Sequence, residues 1–116
     1  MNRGDVVLVD VPYIGAPGVK LRPALIVQND VLNKTINETM IAVITSNLAH
    51  AHQSHQFIID PSTPDGIVSG LLTTSAVRCE RLHTVPKADI QRVIGSLPAS
   101  LMATLDICLR SALGIR

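Results

Sequence analysis

A small, mainly antiparallel β-domain finished by one terminal α-helix is the fold class this sequence predicts, and three observations predict it. Short apolar runs rich in β-branched residues recur as far as Leu97, each closed by Gly, Pro, Asn or Asp. No strand-helix-strand alternation appears, which argues against a parallel sheet. Only after Pro98 does the apolar spacing become helical.

Val6–Val9 and Ala24–Val27 read as the first two strands, the one bounded by Gly4 and Asp10-Val11-Pro12, the other by Pro23 and Asn29-Asp30. Tyr13 to Lys20, with its glycines and proline, reads as an irregular loop that can act as a lid. Met40–Ile44 is a third strand ending in the small polar residues Thr45-Ser46-Asn47, whose hydroxyls suit a turn or a ligand. Gln56–Asp60 is a fourth, closed by the turn-rich Pro61 to Gly66. A fifth extended region begins at Gly70-Leu71-Leu72 and runs through Ser75 to Leu82. A short helical turn over Lys87–Ile90 precedes a last strand at Arg92–Leu97. From Ala99 to Leu113, Leu101, Leu105, Cys108, Leu109 and Ala112 form an amphipathic stripe, with Pro98 at its start and Gly114 as its stop. Several strands are continuously apolar, which predicts burial on both faces, by the helix and by a second subunit.

A chain of 116 residues has room for one domain, spanning 1–116. Apolar residues make up 47% of it, more than so small a domain hides easily, so a homodimer is expected. The apolar runs are far too short to cross a membrane, and no secretory signal is read at the N-terminus. Cys79 and Cys108 are the only cysteines and form no zinc or disulfide pattern, which fits a cytoplasmic setting. Net charge is +1, too low for a protein that coats nucleic acid broadly. Tyr13 and Phe57 are the only aromatics, too few for serial base stacking along a single strand. Any nucleic-acid contact must therefore be local.

The residues that suggest chemistry are Arg78-Cys79-Glu80. Side chains two apart on a strand share a face, so a guanidinium and a carboxylate stand together with Val77 and Cys79 on the opposite, core-facing side. Alone, such a pair is an ordinary surface ion pair worth ~0–1 kcal/mol. A second cationic segment, Lys20-Leu21-Arg22-Pro23, precedes the second apolar run. His50-x-His52-x-x-His55 has the look of a metal cluster but reads as a solvated loop, and no metal or other cofactor is expected.

Taken together, Arg3-Gly4-Asp5-Val6-Val7-Leu8-Val9, Lys20 to Gln28, Val43-Ile44-Thr45-Ser46, Gly70-Leu71, Ser75 to Glu80 and Ile94-Gly95-Ser96-Leu97 resemble the PemK/MazF family of toxin endoribonucleases. The resemblance spans nearly the whole chain. It implies an SH3-like β-barrel shared with CcdB-type toxins, a homodimer, a single-stranded RNA substrate and a cognate, partly disordered antitoxin. It places Arg22 on the family's Arg-Pro position, Thr45 on the threonine ending the third strand, and Arg78 and Glu80 on the Arg-Cys-Asp segment of the Kid/PemK branch. The resemblance implies catalysis or scissile-phosphate binding for Arg22 and Thr45 and acid-base roles for Arg78 and Glu80; Lys20, Ser46 and Tyr13 are expected to contact substrate. That branch also carries a histidine in the loop before Arg-Pro, where Tyr13 to Leu21 has none. Either that histidine is dispensable or its task falls to Lys20, Tyr13 or Thr45.

RNA supplies its own nucleophile, so such a site has only to deprotonate the 2′-hydroxyl, stabilise the charge on phosphorus and release the 5′-oxygen. Glu80 suits the first task, Arg22 and Arg78 the second, and Thr45 with Ser46 the orientation of the phosphate. The expected ends are a 2′,3′-cyclic phosphate and a 5′-hydroxyl. His83 is the second choice for proton transfer. Two other readings of the same fold are a CcdB-like topoisomerase poison, disfavoured because the chain has no tryptophan, and a catalytically idle binding module, disfavoured because Arg22, Thr45, Arg78 and Glu80 are all present.

Overall fold

The computed structural model describes residues 1–116. In chain order the elements are β1 (Asp5–Pro12), β2 (Val19–Ile26), α1 (Asp30–Thr35), β3 (Glu38–Thr45), β4 (Gln56–Ile59), α2 (Pro64–Ile67), β5 (Ser75–Pro86), a 3-10 turn (Lys87–Asp89), β6 (Ile90–Ser96) and α3 (Ala99–Leu113). The strands form one antiparallel six-stranded sheet in the order β4-β5-β3-β2-β1-β6. β4 and β6 remain edges, so the expected barrel is an open, curled sheet rather than a closed cylinder.

Burial on both faces follows from the continuously apolar runs. One cluster, including Val6, Leu25, Ile44, Val77 and Cys79, packs under α3 through Leu105 and Cys108. The other joins Val7, Val9, Ala24, Ile26, Ile41, Val43 and Val85 on the opposite face. Leu105 is fully buried, which stabilises the helix-sheet contact by ~1.5–3 kcal/mol. Gly114 ends α3 at φ +69°, the left-handed conformation glycine adopts without a Cβ penalty. Arg3 ties the N-terminus to the helix, donating to Asp106 Oδ1 at 2.7 Å and to the Val27 carbonyl at 2.9 Å.

Several boundaries differ from the sequence expectation. β2 begins at Val19, so the loop shortens to Tyr13–Gly18. Gly70–Thr74 is not strand, and β5 instead continues past Leu82 to Pro86. The expected Pro61–Gly66 turn instead leads into the single helical turn α2, which runs to Ile67 and is capped by Thr63. α1 has no counterpart in the expectation because its stabilisation is polar. Asn29 caps it by accepting from Val31 N, and buried Asn33 bonds to Gln28 and Thr39. Such a network depends on partners that only the folded chain brings together.

Candidate active site

β2 and β3 are each eight residues long, yet they pair only where Ala24–Ile26 meets Ile41–Val43. Beyond that stretch β2 stays with β1, while the end of β3 stays with β5. The wedge between them opens as a groove of about 750 Å³. Lys20, Arg22 and Arg92 line it together with Thr45, Ser46 and Ser75, and no carboxylate does. A chain of net charge only +1 thus concentrates three cations in one cleft, a field suited to an anion. The Thr45 hydroxyl accepts from Asn47 N at 3.1 Å, so it caps the turn; its own proton remains available to donate into the groove.

The wall formed by Gly70–Thr73 is held by close backbone approach. A Cβ on Gly70 would lie 2.0 Å from the Ile94 carbonyl oxygen, and one on Gly95 would meet Ser69 and Val68 backbone at 2.3–2.4 Å. Ser96 N donates to the Val68 carbonyl at 3.0 Å. The Gly70-Leu71 and Ile94-Gly95-Ser96 segments, distant in sequence, are therefore one contact.

Arg78 and Glu80 stand beside this groove on β5 and do not line it. Their shared face is as expected: Arg78 Nε lies 3.2 Å from Glu80 Oε2, while Val77 and Cys79 are fully buried behind them. Gln56, opposite Arg78 on β4, donates to the same Glu80 oxygen at 2.9 Å. His55 Nε2 is 3.9 Å from it. Burial, the largest single effect, pushes the Glu80 carboxyl upward; backbone, Gln56 and Arg78 hydrogen bonds together with the Arg78 charge outweigh it and hold the group below its usual range.

A link between the two groups of residues is Arg81, which the sequence reading missed. Pairing jumps from Ala42–Leu82 to Val43–Arg78, a bulge in β5 that reverses the alternation. Val77 and Cys79 face the helix-side core, and so does Leu82. Arg81 is thereby turned to the face of Arg78 and Glu80. Desolvation, followed by the charges of Arg78 and Arg22, lowers its pKa, so all three guanidiniums share one local field. Its Nη2 also donates to the Pro12 carbonyl, fixing the base of the β1–β2 hairpin. No local sequence signal marks this arginine, because strict alternation would send it to the other face. Arg92 was missed for a similar reason: only its register opposite Leu8 brings it to the groove.

Of the remaining candidates, Tyr13 is 44% exposed in the hairpin loop, against Gly18, and lies off the groove lining. His83 sits on β5 with Nε2 buried and unpartnered. Desolvation, then the Arg81 charge, lowers its pKa. His50 and His52 are exposed, and no three His, Cys, Asp or Glu side chains converge as a metal-binding group.

Comparisons with known proteins give the family and the fold. Residues 2–113 match the family of PemK-like, MazF-like toxins of type II toxin-antitoxin systems. The chain is 32% identical over 117 residues to the endoribonuclease MazF2 of Mycobacterium bovis, covering 99% of this chain and 98% of that one. It is 27% identical to the endoribonuclease EndoA of Bacillus subtilis, covering 99% and 96%. Its fold is similar to a mycobacterial endoribonuclease solved with its cognate antitoxin, at TM-score 0.80 and 22% identity over 100% of this chain and 97% of that one. The Mycobacterium tuberculosis toxin MazF-mt6 superposes at TM-score 0.78 with 24% identity over 97% and 98%. With an open sheet of this topology, a cationic cleft at its split and a family match over almost its full length, the chain belongs to the PemK-like, MazF-like toxins of type II toxin-antitoxin systems.

Proposed function

We propose that this protein is a metal-independent endoribonuclease that cuts single-stranded RNA at specific sequences and serves as the toxin of a toxin-antitoxin pair. The observation that carries the reading is the groove at the β2–β3 split: three cations, two hydroxyls at the end of β3 and no carboxylate, beside an Arg–Glu pair. Arg22 and Lys20 hold the phosphate, Thr45 and Ser46 orient it, and Arg78 offsets the charge that develops on phosphorus. Glu80 accepts the 2′-hydroxyl proton. Arginine stays charged, so Arg78 is assigned to electrostatic stabilisation rather than to proton donation. Tyr13, on the exposed hairpin loop, contacts flanking nucleotides. The reaction leaves a 2′,3′-cyclic phosphate and a 5′-hydroxyl.

The family match and the endoribonuclease names of the relatives support this reading. They also support a cognate antitoxin, as in the solved mycobacterial complex. An antitoxin segment carrying acidic and apolar residues suits the cationic groove and blocks RNA by occupying it. Exposed apolar side chains such as Ile14, Leu72, Ile107 and Ile115 support a homodimer, which light scattering tests. The protein acts in the cytoplasm; no helix of the structure is long and apolar enough to cross a membrane.

The deciding experiment incubates the protein with a defined RNA and its singly 2′-deoxy analogues, with EDTA present, and maps the ends. Cleavage abolished by one 2′-deoxy substitution at the cut is the expected result. Cleavage that tolerates every 2′-deoxy analogue, or that EDTA stops, overturns the chemistry.

A further inference from the structure

We propose that His55 gives the proton that converts the departing 5′-oxygen into a hydroxyl, acting as a pair with Glu80; the inference rests on the ribonuclease reading above. Transesterification needs two proton transfers, one from the 2′-oxygen and one to the 5′-oxygen. Glu80 takes up the first, and the second still needs a donor. Three side chains come within 4 Å of the Glu80 carboxylate. Arg78 and Gln56 both already donate to its Oε2, at 3.2 and 2.9 Å. A guanidinium does not release its proton near neutral pH, and an amide does not either. The third is His55, and imidazole is the side chain suited to give and regain a proton there.

The placement of His55 fits that task. It immediately precedes β4, and its carbonyl accepts from Cys79 N at 3.0 Å, which clamps its backbone to β5 at the site. Its Nε2 lies 3.9 Å from Glu80 Oε2. That gap exceeds a hydrogen bond, so the nitrogen is not consumed by the carboxylate and stays free for an oxygen of the substrate. Both side chains are 32% exposed, which leaves the pair open to an RNA strand.

The step balances. The 2′-oxygen loses its proton to Glu80 and forms a bond to phosphorus; the bond from phosphorus to the 5′-oxygen breaks, and that oxygen takes the proton of the His55 imidazolium. Because the 3.9 Å gap exceeds a hydrogen bond, Glu80 then returns its proton to His55 through one water, and both groups are reset. A carboxyl held below its usual range releases that proton readily.

The test uses the full-length protein and a mixed-sequence single-stranded RNA whose cut position has been mapped. A second copy of that RNA carries sulfur in place of the bridging 5′-oxygen at the cut, a leaving group that needs no proton. His55→Ala should slow cleavage of ordinary RNA by about 100-fold or more and cleave the 5′-thio RNA at close to the wild-type rate. Glu80→Gln should remain slow on both, since its step precedes departure. Thermal unfolding shows whether His55→Ala folds, and His55→Gln replaces it if it does not. Wild-type rates on ordinary RNA, or an equal defect on both substrates, overturn the donor role and leave the ribonuclease reading standing. Wild-type protein that cuts no RNA overturns that reading, and this inference with it.

Discussion

Gln56 and Arg78 lie directly opposite each other in the β4–β5 register and donate to the same atom, Oε2 of Glu80, at 2.9 and 3.2 Å. An ordinary surface ion pair would leave its carboxylate free to wander. Here two strands hold one oxygen of the carboxylate. The arrangement has a cost, since Gln56 Oε1 is buried without a partner.

Replacing Gln56 by Met removes one hydrogen bond to a charged group, worth ~1.5–3 kcal/mol, and also relieves an unpaired buried oxygen that costs ~1–3 kcal/mol. Net stability should change by less than about 1 kcal/mol, as read from urea unfolding. Cleavage should slow, and an NMR titration should find the Glu80 carboxyl moved up toward its usual range. An unmoved Glu80 titration means that Gln56 does not position it.

Arg22 and Arg78 are each only partly buried, so alanine at either should leave the fold nearly intact while removing charge from the proposed phosphate site. A loss in kcat/KM of about 100-fold or more is expected from each, by analogy with removing one transition-state donor. A wild-type rate in either variant refutes that residue's assignment.

Acid should destabilise the protein in two stages. Desolvation and Arg81 depress the His83 pKa, so the fold resists charging its ring; below the usual 6.5 the unfolded chain binds the proton first and stability falls. Glu80 is likewise held below its usual 4.5, as Asp60 is below 3.8 through bonds from Ser62, so a second loss follows as those carboxylates protonate. Stability is therefore full above about pH 6.5. Urea midpoints measured between pH 7.5 and 3.5 check this, and His83→Gln should erase the first stage alone.

Gly95→Ala should be among the most damaging single-methyl additions, because its Cβ would press on Ser69 and Val68 backbone at 2.3–2.4 Å. Overpacking of this kind costs ~1–3 kcal/mol. Since Gly70–Thr73 forms one wall of the groove, RNA binding should weaken along with stability. A variant with unchanged melting temperature and unchanged affinity contradicts the close contact.

Much of the molecule was legible before folding because the signals are local. The stripe from Ala99 to Leu113 with Gly114 beyond it marks α3 to the residue, since helix periodicity and capping depend only on neighbours. Arg78 and Glu80 share a face because strand alternation is a property of three consecutive residues. The strand runs themselves, and the small polar residues ending β3, are likewise written in consecutive positions.

What tertiary structure decided is everything that depends on which strands pair and where they stop. β2 and β3 separate after three paired positions, and that separation, not any motif, creates the groove and places Lys20 and Arg22 across from Thr45. The bulge between Arg78 and Leu82 reverses alternation and so turns Arg81 toward Arg78, where simple counting would turn it away. His55 reads as one of three loop histidines until β4 docks on β5 and brings it to Glu80. Register and bulges are settled by the packing of whole faces against a core, and no short stretch of sequence contains that sum.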